Sequence, residues 1–193
     1  MIMADKDLRI KDLESESIWY FVKLPDYLSL ASIACSIVAI ISAFNGQFGR
    51  ATLLILASAV FDAFDGVVAR LIHRTGNFGV ELDSIADVVA FGAAPAILGY
   101  CMGLKHPLEV ALLVAFVLAS AMRLARFNIL KVRGHYFIGM PTTANGWLIP
   151  LIYLILSVNN IDWAIAQLIY LLWFGFSTIL MISILKVPKP SLG

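Results

Sequence analysis

The chain has 193 residues, is 61% hydrophobic and carries a formal net charge of +1, with a mean hydropathy of +0.89. Such a composition is too apolar for an ordinary soluble domain, and it offers no basic surplus for a nucleic-acid partner. It predicts an all-α integral membrane protein, with a juxtamembrane segment at 1–24 and a bundle of six transmembrane helices at 25–193.

Residues 1–24 hold many charges and no long apolar core, unlike a cleavable secretory signal. Within them Ile10, Leu13, Ile18, Phe21 and Val22, with Trp19 and Tyr20, predict an amphipathic helix lying on the membrane surface. Apolar runs long enough to span a bilayer follow at about 27–44, 51–72, 84–103, 107–127, 142–158 and 163–185. The connections near 45–50, 104–107 and 159–162 are short, which favours antiparallel neighbours in a compact bundle. Those near 73–82 and 128–141 are longer. Cys35 and Cys101 lie in separate spans without ligand spacing and read as packing residues. Gly99 and Gly103 form GxxxG in the third span, a close-packing signal that serves either a homodimer or a neighbour in the same chain. His73, His106 and His135 are scattered over connections with no metal-ligand pattern.

Orientation follows from the basic residues, which favour cytoplasmic loops. With a cytoplasmic N-terminus, Lys6, Arg9, Lys11, Lys23, Arg70, Arg74, Arg123, Arg126, Lys131, Arg133, Lys186 and Lys189 all fall on or near that side. Only Arg50 and Lys105 fall opposite. The small net charge thus conceals a basic cytoplasmic face suited to phosphates and anionic headgroups. Both longer connections lie on that face, so the chemistry is expected there.

One stretch, FDAFDGVVARLIHRTGNFGVELDSIADVVAFG at 61–92, departs from its apolar surroundings. Counted from Ala51 at about 1.5 Å per residue, Asp62 and Asp65 lie about 16 and 21 Å into the second span, past the midplane of a core about 30 Å thick. Asp62 and Asp65 are spaced i, i+3, whereas Asp83 and Asp87 are spaced i, i+4, so each pair shares a helix face. Two adjacent helices can bring the four carboxylates together. There they would repel one another and lose hydration unless a positive charge compensates. Arg70, Arg74, Arg123 and Arg126 are one source; one or two divalent ions, Mg²⁺, Mn²⁺ or Ca²⁺, are the other, because hard cations prefer oxygen ligands. Intramembrane carboxylates also mark ion pathways, which leaves a metal-ion transporter as a reading of a different class.

Asp62, Asp65, Gly66, Ala69, Arg70, Gly79, Asp83 and Asp87 fit the pattern DxxDGxxARx8GxxxDxxxD at every position and gap. In this the chain resembles the CDP-alcohol phosphotransferase family, membrane enzymes that join a CDP-linked group to an alcohol and release CMP. The resemblance implies that Asp62, Asp65, Asp83 and Asp87 hold two divalent ions, Mg²⁺ or Mn²⁺, with Asp87 also the base. It places the cytidine diphosphate against Asp62, Gly66, Ala69, Arg70 and Gly79, and it implies a homodimer in the cell membrane. The segments ADVVAFGAAPA at 86–96, RLARFN at 123–128 and FIGMPTT at 137–143 resemble the branch whose acceptor is L-serine and whose donor is a CDP-activated lipid. Inositol phosphate, glycerol phosphate or another alcohol is the alternative acceptor.

Arg123, Arg126, Asn128 and Arg133 are the candidates for binding serine or the lipid phosphate, since guanidinium groups can fork onto a carboxylate or phosphate. Basic residues at a helix end also serve as membrane anchors. Pro141 suits a helix start, and Thr142, Thr143 and Asn145 put polar atoms near the interface, where Thr142 suits capping as well as ligand contact. The family commonly has Asn after the Pro of LPDYLS at 24–29; here Asp26 stands there, and a carboxylate cannot donate as an amide does.

Overall fold

The computed structural model describes residues 22–71, 77–130, 136–159, 161–184 and 186–188. The expected amphipathic helix before Val22, as well as His73, Arg74, Lys131, Arg133 and His135, lies outside them. Helix α1 is Leu24–Phe44 and α2 is Phe48–Leu71. A third rod combines α3, Asn77–Asp87, a π-helical turn, Val88–Ala93, and α4, Ala94–Cys101. Then come α5, Pro107–Leu130, strand β1, Tyr136–Ile138, α6, Thr143–Val158, α7, Trp163–Ile182, and strand β2, Lys186–Pro188.

Among the described residues, five helices are long and apolar enough to cross a membrane: Pro25–Phe44, Phe48–Val68, Phe78–Cys101, Pro107–Ile129 and Trp163–Ile182. The expected fifth of six spans is α6, an apolar helix of 16 residues. At about 1.5 Å per residue it is about 24 Å long, short of a core about 30 Å thick. Among the described residues, the expected six crossings are thus five long helices and one shorter one. Two further boundaries differ from expectation. The third span begins at Phe78, so residues 77–82 are helix where a connection was expected, and the last span ends at Ile182. The 136–138 part of the longer connection pairs antiparallel with 186–188, a small ribbon in an otherwise helical protein.

Large side chains such as Ile37, Ile41, Leu53, Leu118 and Ile179 are exposed on the outside of the bundle, whereas Ala39, Ala43, Ala51, Ala59 and several serines are buried. This is the membrane pattern of small residues between helices and bulky ones toward lipid. Two of these serines spend their hydroxyls on backbone: Ser36 donates to the Ser32 carbonyl (2.8 Å) and Ser32 to that of Ser58 across the α1–α2 contact (3.1 Å). Each would otherwise be an unsatisfied polar group in an apolar interior.

The π-helical turn has a local cause. Pro95 has no N–H to give to Phe91, and its ring crowds that carbonyl, so the regular ladder fails just downstream of Asp87. The turn is wedged between two helices. A Cβ at Gly92 would meet Ser120 Oγ of α5 at 3.1 Å, and one at Gly146 of α6 would overlap the buried Phe91 ring.

The GxxxG pair faces inward. A Cβ at Gly99 would meet Phe174 of α7 at 2.9 Å, and Gly103, at φ +115°, turns the chain out of α4 against Gln167 and Trp163. The motif therefore packs the third rod on α7 within one chain. Asp26, the departure at the first span, is buried and accepts the Lys23 backbone N–H (2.7 Å). A carboxylate serves that helix-start role as well as an amide would.

Candidate active site

Helix α2 supplies Asp62 and α3 supplies Asp83 and Asp87, and one oxygen from each carboxylate lies within 4.8 Å of the others. Asp62 and Asp83 are half-buried and Asp87 is buried. Among the described residues, Asp87 Oδ1 is enclosed without a hydrogen-bond donor. Its carboxylate neighbours cannot donate to it while ionised, so a cation is the species that this set of hard oxygens fits.

Asp65 does not join these three. Three residues along an α-helix turn the side chain about 60° short of a full circle, and Asp65 is buried toward α1, where its Oδ2 accepts from the Ser29 hydroxyl. The four-carboxylate cluster expected from spacing is thus three carboxylates with the fourth bonded to a neighbouring helix. Gly66 is exposed, and a Cβ there would meet nothing within 4 Å among the described residues. Gly79 is buried in α3. Ala69 and Arg70 belong to the last turns of α2, and their side chains lie outside the described residues.

The arginines expected to share one task are used differently. Arg126 caps α7: its Nη2 donates to the carbonyls of Met181 (3.3 Å) and Ser183 (3.2 Å), and its Nη1 to that of Ile182 (3.4 Å). These are carbonyls that a helix leaves without partners at its C-terminal end, where positive charge is favourable. Gly139, at φ +72°, brings the segment after β1 onto the same end, 3.0 Å from the Leu180 and Met181 oxygens for an added Cβ. Met140 N–H then donates to the Leu180 carbonyl (3.2 Å). Arg123 is buried, its Nη1 donates to Thr142 Oγ1 (3.0 Å), and its Nε has no hydrogen-bond partner among the described residues. Asn128 donates to Ser84 Oγ (2.9 Å), tying α5 to α3 beside Asp83.

Arg126→Ala is expected to destabilise the detergent-solubilised protein by about 1.5–3 kcal/mol, the usual worth of hydrogen bonds from a charged donor. Thermal unfolding measures this. A larger rise in acceptor KM for Arg126→Ala than for Arg123→Ala would instead assign Arg126 to the acceptor side.

Sequence reasoning missed the hydroxyls around the carboxylates, Ser29, Ser84 and the Thr142 bond to Asp87. Their signal was present as serine and threonine inside apolar spans, but no spacing says which carboxylate such a hydroxyl will face.

Apolar helices long enough to cross a membrane, with motif carboxylates brought together from two of them, frame a membrane-embedded site, and the family match decides its class as a transferase. The model of the CDP-alcohol phosphatidyltransferase family matches residues 22–182, and the chain belongs to that family. It is 38% identical over 174 residues to a CDP-diacylglycerol–serine O-phosphatidyltransferase of Methanocaldococcus jannaschii, covering 90% of this chain and 77% of the relative. It is 34% identical over 169 residues to the Helicobacter pylori protein of the same name, covering 86% and 71%. An archaetidylserine synthase of Methanothermobacter thermautotrophicus is 31% identical over 180 residues, covering 92% and 74%.

Proposed function

We propose that the protein transfers a phosphatidyl-type group from a CDP-activated lipid to L-serine and releases CMP. The observation that carries this reading is the junction of Asp62, Asp83 and Asp87 from the two halves of the family motif, in a chain similar to a bacterial CDP-diacylglycerol–serine O-phosphatidyltransferase and an archaeal archaetidylserine synthase. The lipid tails stay in the bilayer while the diphosphate meets the carboxylate end of α2 and α3. Gly66, which is exposed and has no side chain, lets the diphosphate come close to the helix, and Asp62, Ala69, Arg70 and Gly79 complete the nucleotide side.

Asp62, Asp83 and Asp87 would hold an ion, Mg²⁺ or Mn²⁺, and a second ion would take Asp65 as the fourth ligand once that carboxylate gives up its bond from Ser29. Such ions, when bound, neutralise the diphosphate and the charge that grows on the leaving CMP. Asp87 accepts the serine hydroxyl proton as the serine oxygen bonds to the lipid-side phosphorus and the bond from that phosphorus to CMP breaks. Arg123 is the favoured anion-binding arginine because its buried Nε is still available, whereas Arg126 is spent on α7. Asn128 and Arg133 belong to the same acceptor side. The basic residues near the ends of α2 and α5 favour an active site facing the cytoplasm, in the cell membrane. A homodimer belongs to the same reading, with an interface away from Gly99 and Gly103.

Purified protein given CDP-lipid and Mg²⁺ or Mn²⁺ is expected to release CMP when L-serine is added. Release with glycerol phosphate or inositol phosphate but not serine would overturn the acceptor assignment.

A further inference from the structure

Thr142 stands just before α6 at the position of a helix cap, yet its side chain makes no capping hydrogen bond. It is fully buried. Its oxygen instead accepts from Arg123 Nη1 of α5 (3.0 Å) and its hydroxyl donates to Asp87 Oδ2 at the end of α3 (3.4 Å). Three elements far apart in sequence therefore meet at one hydroxyl. All three side chains are buried, with Asp87 6% and Arg123 9% exposed, so water is a poor substitute for any of them.

We propose that Thr142, polarised by Arg123, is a positioning residue for Asp87: it fixes one carboxylate oxygen and leaves the other facing the reacting groups. This rests on the base role of Asp87 proposed above. The chemistry supports the assignment in three ways. A hydroxyl that accepts from a guanidinium becomes a better donor to a carboxylate, because chained hydrogen bonds polarise one another. Oδ2 is thereby occupied, while Oδ1 stays without a donor. Asp87 also sits where the regular helix gives way to the π-helical turn, so the backbone downstream does not hold its side chain as an unbroken helix would. A misplaced base is costly, since an error of about 1 Å can lower a rate by about 10²-fold.

The test compares Thr142→Val, of nearly equal volume but without the hydroxyl, with Thr142→Ser, which keeps it. Thr142→Val is expected to lower kcat by about 10 to 10²-fold with the KM for CDP-lipid and the Mn²⁺ affinity, read by electron paramagnetic resonance, unchanged. Thr142→Ser should restore most of the loss. In an Asp87→Asn background the valine change should cost no more than about twofold further, because residues acting through one group are not additive. A merely structural role predicts the same penalty in both backgrounds. Infrared spectra of protein labelled with ¹³C-aspartate supply a readout independent of turnover: loss of the hydroxyl donor should shift the carboxylate band that Asp87→Asn removes. Thr142→Ala provides the same comparisons if the valine variant does not accumulate in membranes. Wild-type kcat in Thr142→Val, an undiminished penalty beside Asp87→Asn, or an unmoved infrared band would each overturn the proposal. A wild-type protein inactive with serine but showing the band shift would overturn only the functional reading.

Discussion

Asp87→Asn is expected to leave CDP-lipid binding in place and to lower serine-dependent CMP release by about 10² to 10⁴-fold, the usual worth of a general base. The substitution keeps the size of the side chain and one oxygen, so Asp87 Oδ2 and its bond from Thr142 can persist while the basic carboxylate is lost. Metal and CDP-lipid binding must be measured on the same variant. Retained binding with collapsed turnover supports the base; lost binding makes Asp87 chiefly a ligand, and near-normal turnover removes it from both roles.

A second large effect is expected at the other two members of the cluster. Asp62→Ala and Asp83→Ala should each lose Mn²⁺ binding and CMP release together, because a hard ion held by few carboxylates tolerates the loss of one poorly. The two residues come from different helices, α2 and α3, yet lie within 4.8 Å at their ligand atoms. Similar defects from both would therefore show that the helices meet at one ion site in the working enzyme. Unchanged Mn²⁺ titrations in both variants would dismiss the cluster as a metal centre, as would full activity in the presence of a strong chelator.

Much of this site is legible in the sequence alone. The fixed gaps among Asp62, Asp65, Gly66, Gly79, Asp83 and Asp87 report helix faces, since side chains three or four residues apart share a face whatever surrounds them. Bilayer thickness converts apolar run length into a span, which is why the runs expected for α1, α2, α5 and α7 lie close to the helices observed. Boundaries next to polar residues are less legible. Asn77, Gly79 and Glu81 suggest a connection, but these residues are helical and Gly79 is buried.

The arginines mark the limit more sharply. Arg123 and Arg126 occupy one face of α5 at i, i+3, and nothing in RLARFN distinguishes them. Packing does, because α7 ends beside Arg126 and offers it three carbonyls, while Thr142 arrives beside Arg123. The same holds for Asp65, which spacing groups with Asp62 and which a serine of α1 draws aside.

By itself, then, the sequence determined that the chain is a membrane bundle with a carboxylate motif of a known transferase family, because hydrophobic length and helical period act over one segment at a time. Only the tertiary structure decided which donors face which acceptors. Such partners lie far apart in the chain, Arg126 and Ser183 by 57 residues, and their meeting depends on how whole helices pack, a property of the bundle that no local spacing encodes.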